Sequence, residues 1–225
     1  MNQTEGRELQ ITADGSHTLF VPALDEHYHS VNGAVQESLH VFIEAGLHHV
    51  DKPKVRIMEI GFGTGLNAFL TLKDQWMKQC PAEIEYNSIE LYPLSAEIVT
   101  ALNYGEMIWP ERKELFQALH SAEWNKQTAI TDHFMLHKIE GDSNQHELPH
   151  EIDLVYFDAF GPDKQPEMWN QTIFNRLYAQ MSHGAVLSTY CAKGAVRRMM
   201  KEAGFSVERI PGPPGKREML RAIKL

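Results

Sequence analysis

One short stretch constrains this chain of 225 residues more than any other. The apolar run Val55-Arg56-Ile57-Met58 leads into Glu59-Ile60-Gly61-Phe62-Gly63-Thr64-Gly65-Leu66-Asn67. A strand that enters a glycine turn and then a helix lets the backbone approach a ligand closely, while the helix presents its first amides to it. Such a loop is expected to hold an adenosine-containing ligand; a plain tight packing turn is the alternative. The dinucleotide fingerprint needs its third glycine three positions after the second, where this chain has Leu66, so dinucleotides are disfavoured.

After Pro53 the chain alternates short apolar runs with longer helical stretches, the pattern of a doubly wound, mostly parallel sheet. The expected strands are Val55–Ile60, Ile84–Glu90, Phe134–Ile139, Leu154–Asp158, Ala185–Tyr190, Phe205–Ile210 and Glu218–Lys224. Helices are expected over Leu66–Lys78, Ser95–Leu102, Glu111–Ala118, Met168–Met181 and Lys193–Ala203. Only Pro211 to Arg217 separates the last two strands, so they pair antiparallel. A seven-stranded, mostly parallel α/β sheet closed by an antiparallel hairpin is the Rossmann-like fold of methyltransferases. Before it, Leu9–Thr12 and Thr18–Val21 flank Asp14-Gly15 as a hairpin that forms a lid or edge ribbon. Val35, Leu39, Phe42, Ile43 and Leu47 predict one amphipathic helix from Ala34 to Val50. Residues 1–50 are thus expected as an extension packed on a catalytic domain of residues 51–225.

Glu59 precedes the first glycine by two residues, giving E-x-G-x-G-x-G, which resembles motif I of S-adenosylmethionine-dependent methyltransferases. An acid suits a ligand carrying an amino group and a sulfonium. Glu90 ends the second strand, where a carboxylate accepts from both ribose hydroxyls; a surface or helix-capping acid is the plainer alternative. Gly141-Asp142 closes the third strand where an adenine amino group would lie, or is a simple loop aspartate. Asp158 ends the apolar strand Leu154-Val155-Tyr156-Phe157, at the reacting end of the cofactor; the alternative is a turn cap.

The match to a known family extends well beyond the glycine loop. Tyr28-His29-Ser30, Phe42, Ser88-Ile89-Glu90 with Tyr92-Pro93-Leu94, Gly141-Asp142 and Asp158-Ala159-Phe160 take part in it. So do Lys164-Gln165-Pro166-Glu167-Met168-Trp169, Val196-Arg197-Arg198, Ala203-Gly204-Phe205 and Gly215-Lys216-Arg217-Glu218-Met219. On these residues the chain resembles the methyltransferase module of the MnmC type, which completes 5-methylaminomethyl-2-thiouridine at the wobble position of tRNA. The chain departs from the family pattern at Gln165, where Asn is usual, and at Ser188-Thr189-Tyr190-Cys191.

The resemblance implies methyl transfer from S-adenosylmethionine to the amine of 5-aminomethyl-2-thiouridine. Glu59, Gly61, Gly63, Gly65, Asn67, Glu90, Asp142 and Asp158 would hold the cofactor. Asp158 would orient the amine or take its proton between the aromatic walls Tyr28 and Phe160. It further implies a stand-alone module without the fused flavin-dependent oxidase of some relatives, leaving room for a separate upstream wobble-modification enzyme. Alternatives are a small-amine methyltransferase, an aminopropyltransferase of the spermidine-synthase type, or a non-catalytic adenosine-ligand or RNA-binding module.

Charge bears on the partner. The net charge of −9 argues against indiscriminate nucleic-acid binding, yet nine Lys and Arg stand against three Glu from Gly184 onward. Lys193, Arg197, Arg198, Lys201, Lys216 and Arg217 are therefore the expected contacts to the phosphates of a tRNA anticodon stem-loop; a solvated surface is the alternative. No metal is expected, because neither His27-x-His29 nor His48-His49 has a third ligand at recognisable spacing. No stretch has the length of apolar residues that a bilayer span needs, Met1 to Gln10 is polar, and Cys80 and Cys191 lie far apart. Free thiols in a cytoplasmic protein are expected.

Overall fold

The computed structural model describes residues 6–78 and 82–225. Cys80 and the first half of the polar Met1–Gln10 segment lie outside the described residues, and Cys191 is a buried free thiol. Among the described residues no helix is long and apolar enough to cross a membrane.

The chain opens as an antiparallel ribbon of β1 (Glu8–Ile11), β2 (His17–Val21) and β3 (Glu26–His27). Its first turn is held by Asp14, whose Oδ1 accepts from the Thr12 hydroxyl at 2.7 Å and the Ser16 amide at 3.0 Å. The two-residue β3 is absent from the sequence-based expectation, being too short to show an alternating pattern. The ribbon is tied to the body where the Asn103 Oδ1 accepts from the His17 amide at 3.0 Å and the Tyr104 hydroxyl donates to the His17 carbonyl.

The single helix expected over Ala34–Val50 is instead three pieces: α1 (Ala34–Ser38), a π-helical turn over Leu39–Glu44 and a 3-10 turn over Leu47–His49. The π turn buries Val41, Phe42 and Ile43 in the core. Apolar spacing alone does not separate the two.

The remaining elements are β4 (Lys54–Ile60), α2 (Leu66–Met77), β5 (Glu83–Glu90), α3 (Ala96–Ala101), α4 (Tyr104–Ile108), α5 (Lys113–Ser121), β6 (Lys126–Thr131), β7 (Phe134–Glu140), β8 (Ile152–Phe157), α6 (Gln171–Gln180), β9 (Met181–Thr189), α7 (Gly194–Glu202), β10 (Ser206–Pro211) and β11 (Glu218–Ile223). The main sheet has the order β10-β11-β9-β8-β4-β5-β7-β6. It holds eight strands where the sequence reading expects seven. The additional β6 is a half-exposed edge strand, Lys-Gln-Thr-Ala-Ile-Thr, in which Ile130 meets the core and no alternating apolar pattern shows. β11 runs antiparallel to both β9 and β10, as expected for the closing hairpin.

Alternate residues of the central strands feed two cores. On β8, Leu154 and Tyr156 join Phe42, Phe69 and Phe116 on one face, while Val155 and Phe157 join Ile173, Phe174 and Met200 on the other. Burial on both faces explains why β8 reads as an unbroken apolar run. From β4 the chain first winds outward through β5 to β7, then returns to place β8 against β4's other edge. That reversal opens a crevice at the carboxyl ends of β4 and β8, which is where ligands bind in open α/β sheets.

Candidate active site

The crevice is a cleft of about 370 Å³ lined by the ends of β4, β5, β7 and β8 and by the segment following β3. The glycine turn forms its floor. Gly61 has φ 94°, and a Cβ there would stand 2.9 Å from the Asp158 carbonyl oxygen, so the loops after β4 and β8 pass this closely only because the residue is glycine. The Asp158 amide donates to the Ile60 carbonyl at 3.1 Å and the Gly61 amide to the Ile89 carbonyl at 2.9 Å, fixing the three strand ends relative to one another. Gly63 and Gly65 continue the turn into α2.

Glu90, at the end of β5, is oriented before any ligand arrives. Its Oε2 accepts from the Gly63 amide at 3.0 Å and its Oε1 from the Tyr92 amide at 2.8 Å, while the carboxylate lines the cleft. Each oxygen keeps a further lone pair. Asp142 also lines the cleft, with its Oδ1 accepting from the Asn144 amide at 2.8 Å and its Oδ2 from Gln145 Nε2 at 3.0 Å, so it shapes the loop after β7 as well.

Asp158 and Glu59 are joined through Asn67. The Asn67 Nδ2 donates to Asp158 Oδ2 at 2.8 Å and to Glu59 Oε1 at 3.1 Å. Burial pushes the Asp158 carboxyl up to about 7, against the lowering effect of Asn67. Burial pushes Glu59 up to about 8. The structure departs from expectation at Glu59, which does not line the cleft: it is fully buried, and its second oxygen accepts from the Ser88 hydroxyl at 2.6 Å. The motif acid supports the site from beneath by orienting Asn67, rather than facing a ligand. Asn67 does line the cleft, and its Oδ1 is buried without a partner.

Above this floor, Tyr28 packs against Gly63 and meets the Phe160 ring edge-on, the centroids 5.1 Å apart. Burial raises the Tyr28 phenol, so it stays neutral. The Asp158–Phe160 loop is clamped from two sides. Trp169 Nε1 donates to the Phe160 carbonyl at 2.7 Å, and the Tyr190 hydroxyl donates to the Ala159 carbonyl at 2.8 Å. Arg7 closes the ribbon side, its guanidinium donating to the Tyr92 carbonyl at 2.9 Å and lying 5.7 Å from the Tyr28 centroid.

The six basic residues do not form one patch. Lys216 turns inward: its Nζ donates to Glu37 Oε1 at 2.6 Å and sits 4.0 Å from the centroid of Tyr190, and all three line the cleft. It therefore faces the cleft, with its charge met by Glu37. Lys193 is exposed and pairs with Asp163 in the loop after β8. Among the described residues Arg197, Arg198, Lys201 and Arg217 make no ion pair, and Arg198, Lys201 and Arg217 are exposed.

The histidines considered as ligands are occupied elsewhere. His29 is buried, its Nε2 hydrogen-bonded to the Thr64 hydroxyl at 2.7 Å, and burial lowers its pKa to about 4. His48 pairs with Asp74, and His49 contacts Arg221. Sequence reasoning missed Arg7, Glu26 and Glu37 as cleft residues. Nothing near Glu37 in the chain marks it, since α1 meets the strand ends only through the fold. Five carboxylates, Glu26, Glu37, Glu90, Asp142 and Asp158, line the cleft against the cations Arg7 and Lys216, an environment that favours a cationic ligand.

Comparison with known proteins places the chain among methyltransferases. Residues 108–225 match a family described as S-adenosyl-L-methionine-dependent methyltransferase. The tRNA 5-methylaminomethyl-2-thiouridine biosynthesis bifunctional protein MnmC of Magnetococcus marinus is 31% identical over 227 residues, covering 96% of this chain and 33% of its own. Its counterpart in Pseudoalteromonas atlantica is 32% identical over 238 residues, again covering 96% of this chain and 33% of its own. The chain therefore spans about a third of the length of these curated relatives. The crystal structure of MNMC2 from Aquifex aeolicus superposes with a TM-score of 0.78 at 26% identity, covering 97% of this chain and 70% of that one.

Proposed function

The chain belongs to the S-adenosyl-L-methionine-dependent methyltransferase family, and on that premise we propose that it methylates the primary amine of 5-aminomethyl-2-thiouridine at the wobble position of tRNA. The similarity to MnmC proteins over nearly the whole chain supports the substrate. The observation that carries the chemistry is Asp158, recessed at the end of β8, held by Asn67 and poised near neutrality.

The residues present fit S-adenosylmethionine. Asn67 offers an orphaned buried oxygen to a donor such as an ammonium, Glu90 keeps free lone pairs for hydroxyl groups, and Gly61 and Gly63 line the floor without side chains of their own. Asp142 and the turn amides complete the cradle. When bound, this cofactor supplies an electrophilic methyl group: the nitrogen lone pair forms the new C–N bond as the C–S bond breaks, its electron pair staying on a neutral sulfur.

Asp158 then has one task, to accept the proton that the nitrogen must lose. A carboxyl pushed up to about 7 is ionised often enough to act at neutral pH and basic enough to take that proton. Tyr28 and Phe160 wall the approach and exclude water. Fixing the two reactants in line can supply about 7–11 kcal/mol of the barrier, whereas a positioned base contributes about 10²–10⁴-fold. Alignment thus contributes more than proton transfer, and the clamps on the Asp158–Phe160 loop serve it.

Arg197, Arg198, Lys201 and Arg217 are the proposed contacts to anticodon-stem phosphates. The Lys193–Asp163 pair joins the start of α7 to the loop that borders the cleft, so the basic helix adjoins the site. In this reading residues 1–50 are an extension on a catalytic unit of 51–225, the enzyme works in the cytoplasm, and a separate upstream enzyme supplies the aminomethyl uridine. Mass spectrometry of wobble nucleosides from cells lacking the gene tests the proposal. Accumulated 5-aminomethyl-2-thiouridine supports it, and an undiminished methylated nucleoside overturns it.

A further inference from the structure

Lys216 and Glu37 belong to neither the glycine turn nor the basic helix, yet they stand inside the cleft. Glu37 comes from α1 and Lys216 from the turn between β10 and β11, 179 residues apart in the chain. The Glu37 side chain is only 9% exposed, and its other oxygen accepts from the Ser30 amide at 2.8 Å. Lys216 lies over the Tyr190 ring, and the Tyr190 hydroxyl holds the carbonyl of Ala159, the residue after Asp158. A continuous path of contacts therefore runs from Glu37 through Lys216 and Tyr190 to the loop that carries the reacting carboxylate.

We propose that Glu37 and Lys216 are positioning residues for methyl transfer, Lys216 steadying the Asp158 loop through Tyr190 while the two opposite charges act against each other on the Asp158 carboxylate. The proposal rests on Asp158 being the base. The titratable groups around Asp158 are Glu59 on β4, Tyr86 on β5, Glu37 on α1, Tyr104 on α4, Tyr190 after β9 and Lys216, and burial keeps the three tyrosines neutral. Lys216 is the cation of this set. Its charge lowers the Asp158 pKa and that of Glu37 raises it. Loss of either partner weakens the same ion pair, but the effects on Asp158 have opposite signs. A role confined to packing would not produce that reversal.

The test uses the full chain with ¹³C-labelled aspartate, the Asp158 carboxyl signal assigned by its loss in Asp158→Asn. Its titration is followed in the wild type and in Glu37→Gln, Lys216→Gln and Lys216→Arg, alongside the pH dependence of kcat. Glu37→Gln is expected to move the Asp158 midpoint down, and Lys216→Gln to move it up. Lys216→Arg, which keeps the charge, is expected to restore the wild-type midpoint. Midpoints that stay fixed, or move in the same direction in both charge-removing variants, overturn the proposal. If the carboxyl midpoints diverge as expected while the kcat profiles do not follow, the pair acts on Asp158 as stated and it is the base role of Asp158 that fails.

Discussion

The Asn67 amide donates to the Asp158 carboxylate across 2.8 Å, binding the first turn of α2 to the end of β8. The same nitrogen reaches Glu59 at 3.1 Å, so one side chain orients Asp158 and is itself oriented by the buried acid. Asn67→Ala removes a hydrogen bond to the charged form of Asp158, worth about 1.5 kcal/mol, which corresponds to about one pH unit. The acid limb of kcat should therefore move upward from near pH 7. A pH–rate profile at saturating tRNA and cofactor checks this; an acid limb that stays in place or moves down contradicts it.

Asp158→Asn keeps the shape of the side chain and removes its basicity. Turnover is expected to fall about 10²–10⁴-fold. Calorimetry should still detect cofactor binding, because Glu90, the glycine turn and Asn67 remain.

Glu59 makes the stability of the fold depend on pH. Its carboxyl is protonated in the folded state up to about pH 8 but ionises near 4.5 when unfolded. The folded state thus holds a proton that the unfolded state has released, and stability falls as pH rises from about 4.5 to about 8. Glu59→Gln removes this dependence. Thermal unfolding from pH 5 to 9 should show a shallower decline in Tm for the variant, with the largest gain at the alkaline end.

Gly61→Ala forces a Cβ to within 2.9 Å of the Asp158 carbonyl at a φ of 94°. The strain is expected to cost about 2 kcal/mol, lowering Tm by about 4–8 °C for a chain of this size. Cofactor affinity should drop as well, since the turn must shift. Calorimetry on the folded variant separates the two effects.

Arg198→Ala and Lys201→Ala should weaken tRNA binding most at low salt. Removing one phosphate-binding cation flattens the slope of log affinity against log salt by about 0.7–0.9. Titrations from low to high salt measure the slope, and unchanged slopes in both variants would leave α7 as ordinary surface.

The main sheet and the positions of the strand-end acids are legible in the sequence because both follow local rules. An apolar run that stops at Glu90 or Asp158 and enters a turn marks a carboxyl edge without knowledge of its neighbours. What stays hidden depends on packing between distant segments. Nothing local distinguishes Lys216, held against Glu37 and Tyr190, from Arg217, which is exposed one residue later. Glu37 sits on a helix whose meeting with Lys216 exists only in the folded chain. The motif names a residue type at Glu59 and so points to the ligand, yet the alternation of β4 turns this side chain into the core, where Ser88 and Asn67 receive it. The edge strand β6 escapes notice because Ala129 and Ile130 are the apolar residues of an otherwise polar six-residue segment.

In the proposed reaction this cleft passes a methyl group to an amine on tRNA with Asp158 taking the proton. Its most direct test is reconstitution with purified chain, S-adenosylmethionine and tRNA carrying 5-aminomethyl-2-thiouridine, read by mass spectrometry of the digested nucleosides. The wobble nucleoside should gain one methyl group with the wild type and do so about 10²–10⁴-fold more slowly with Asp158→Asn. Tight cofactor binding without any methylated wobble nucleoside, or equal rates for the two proteins, would contradict it.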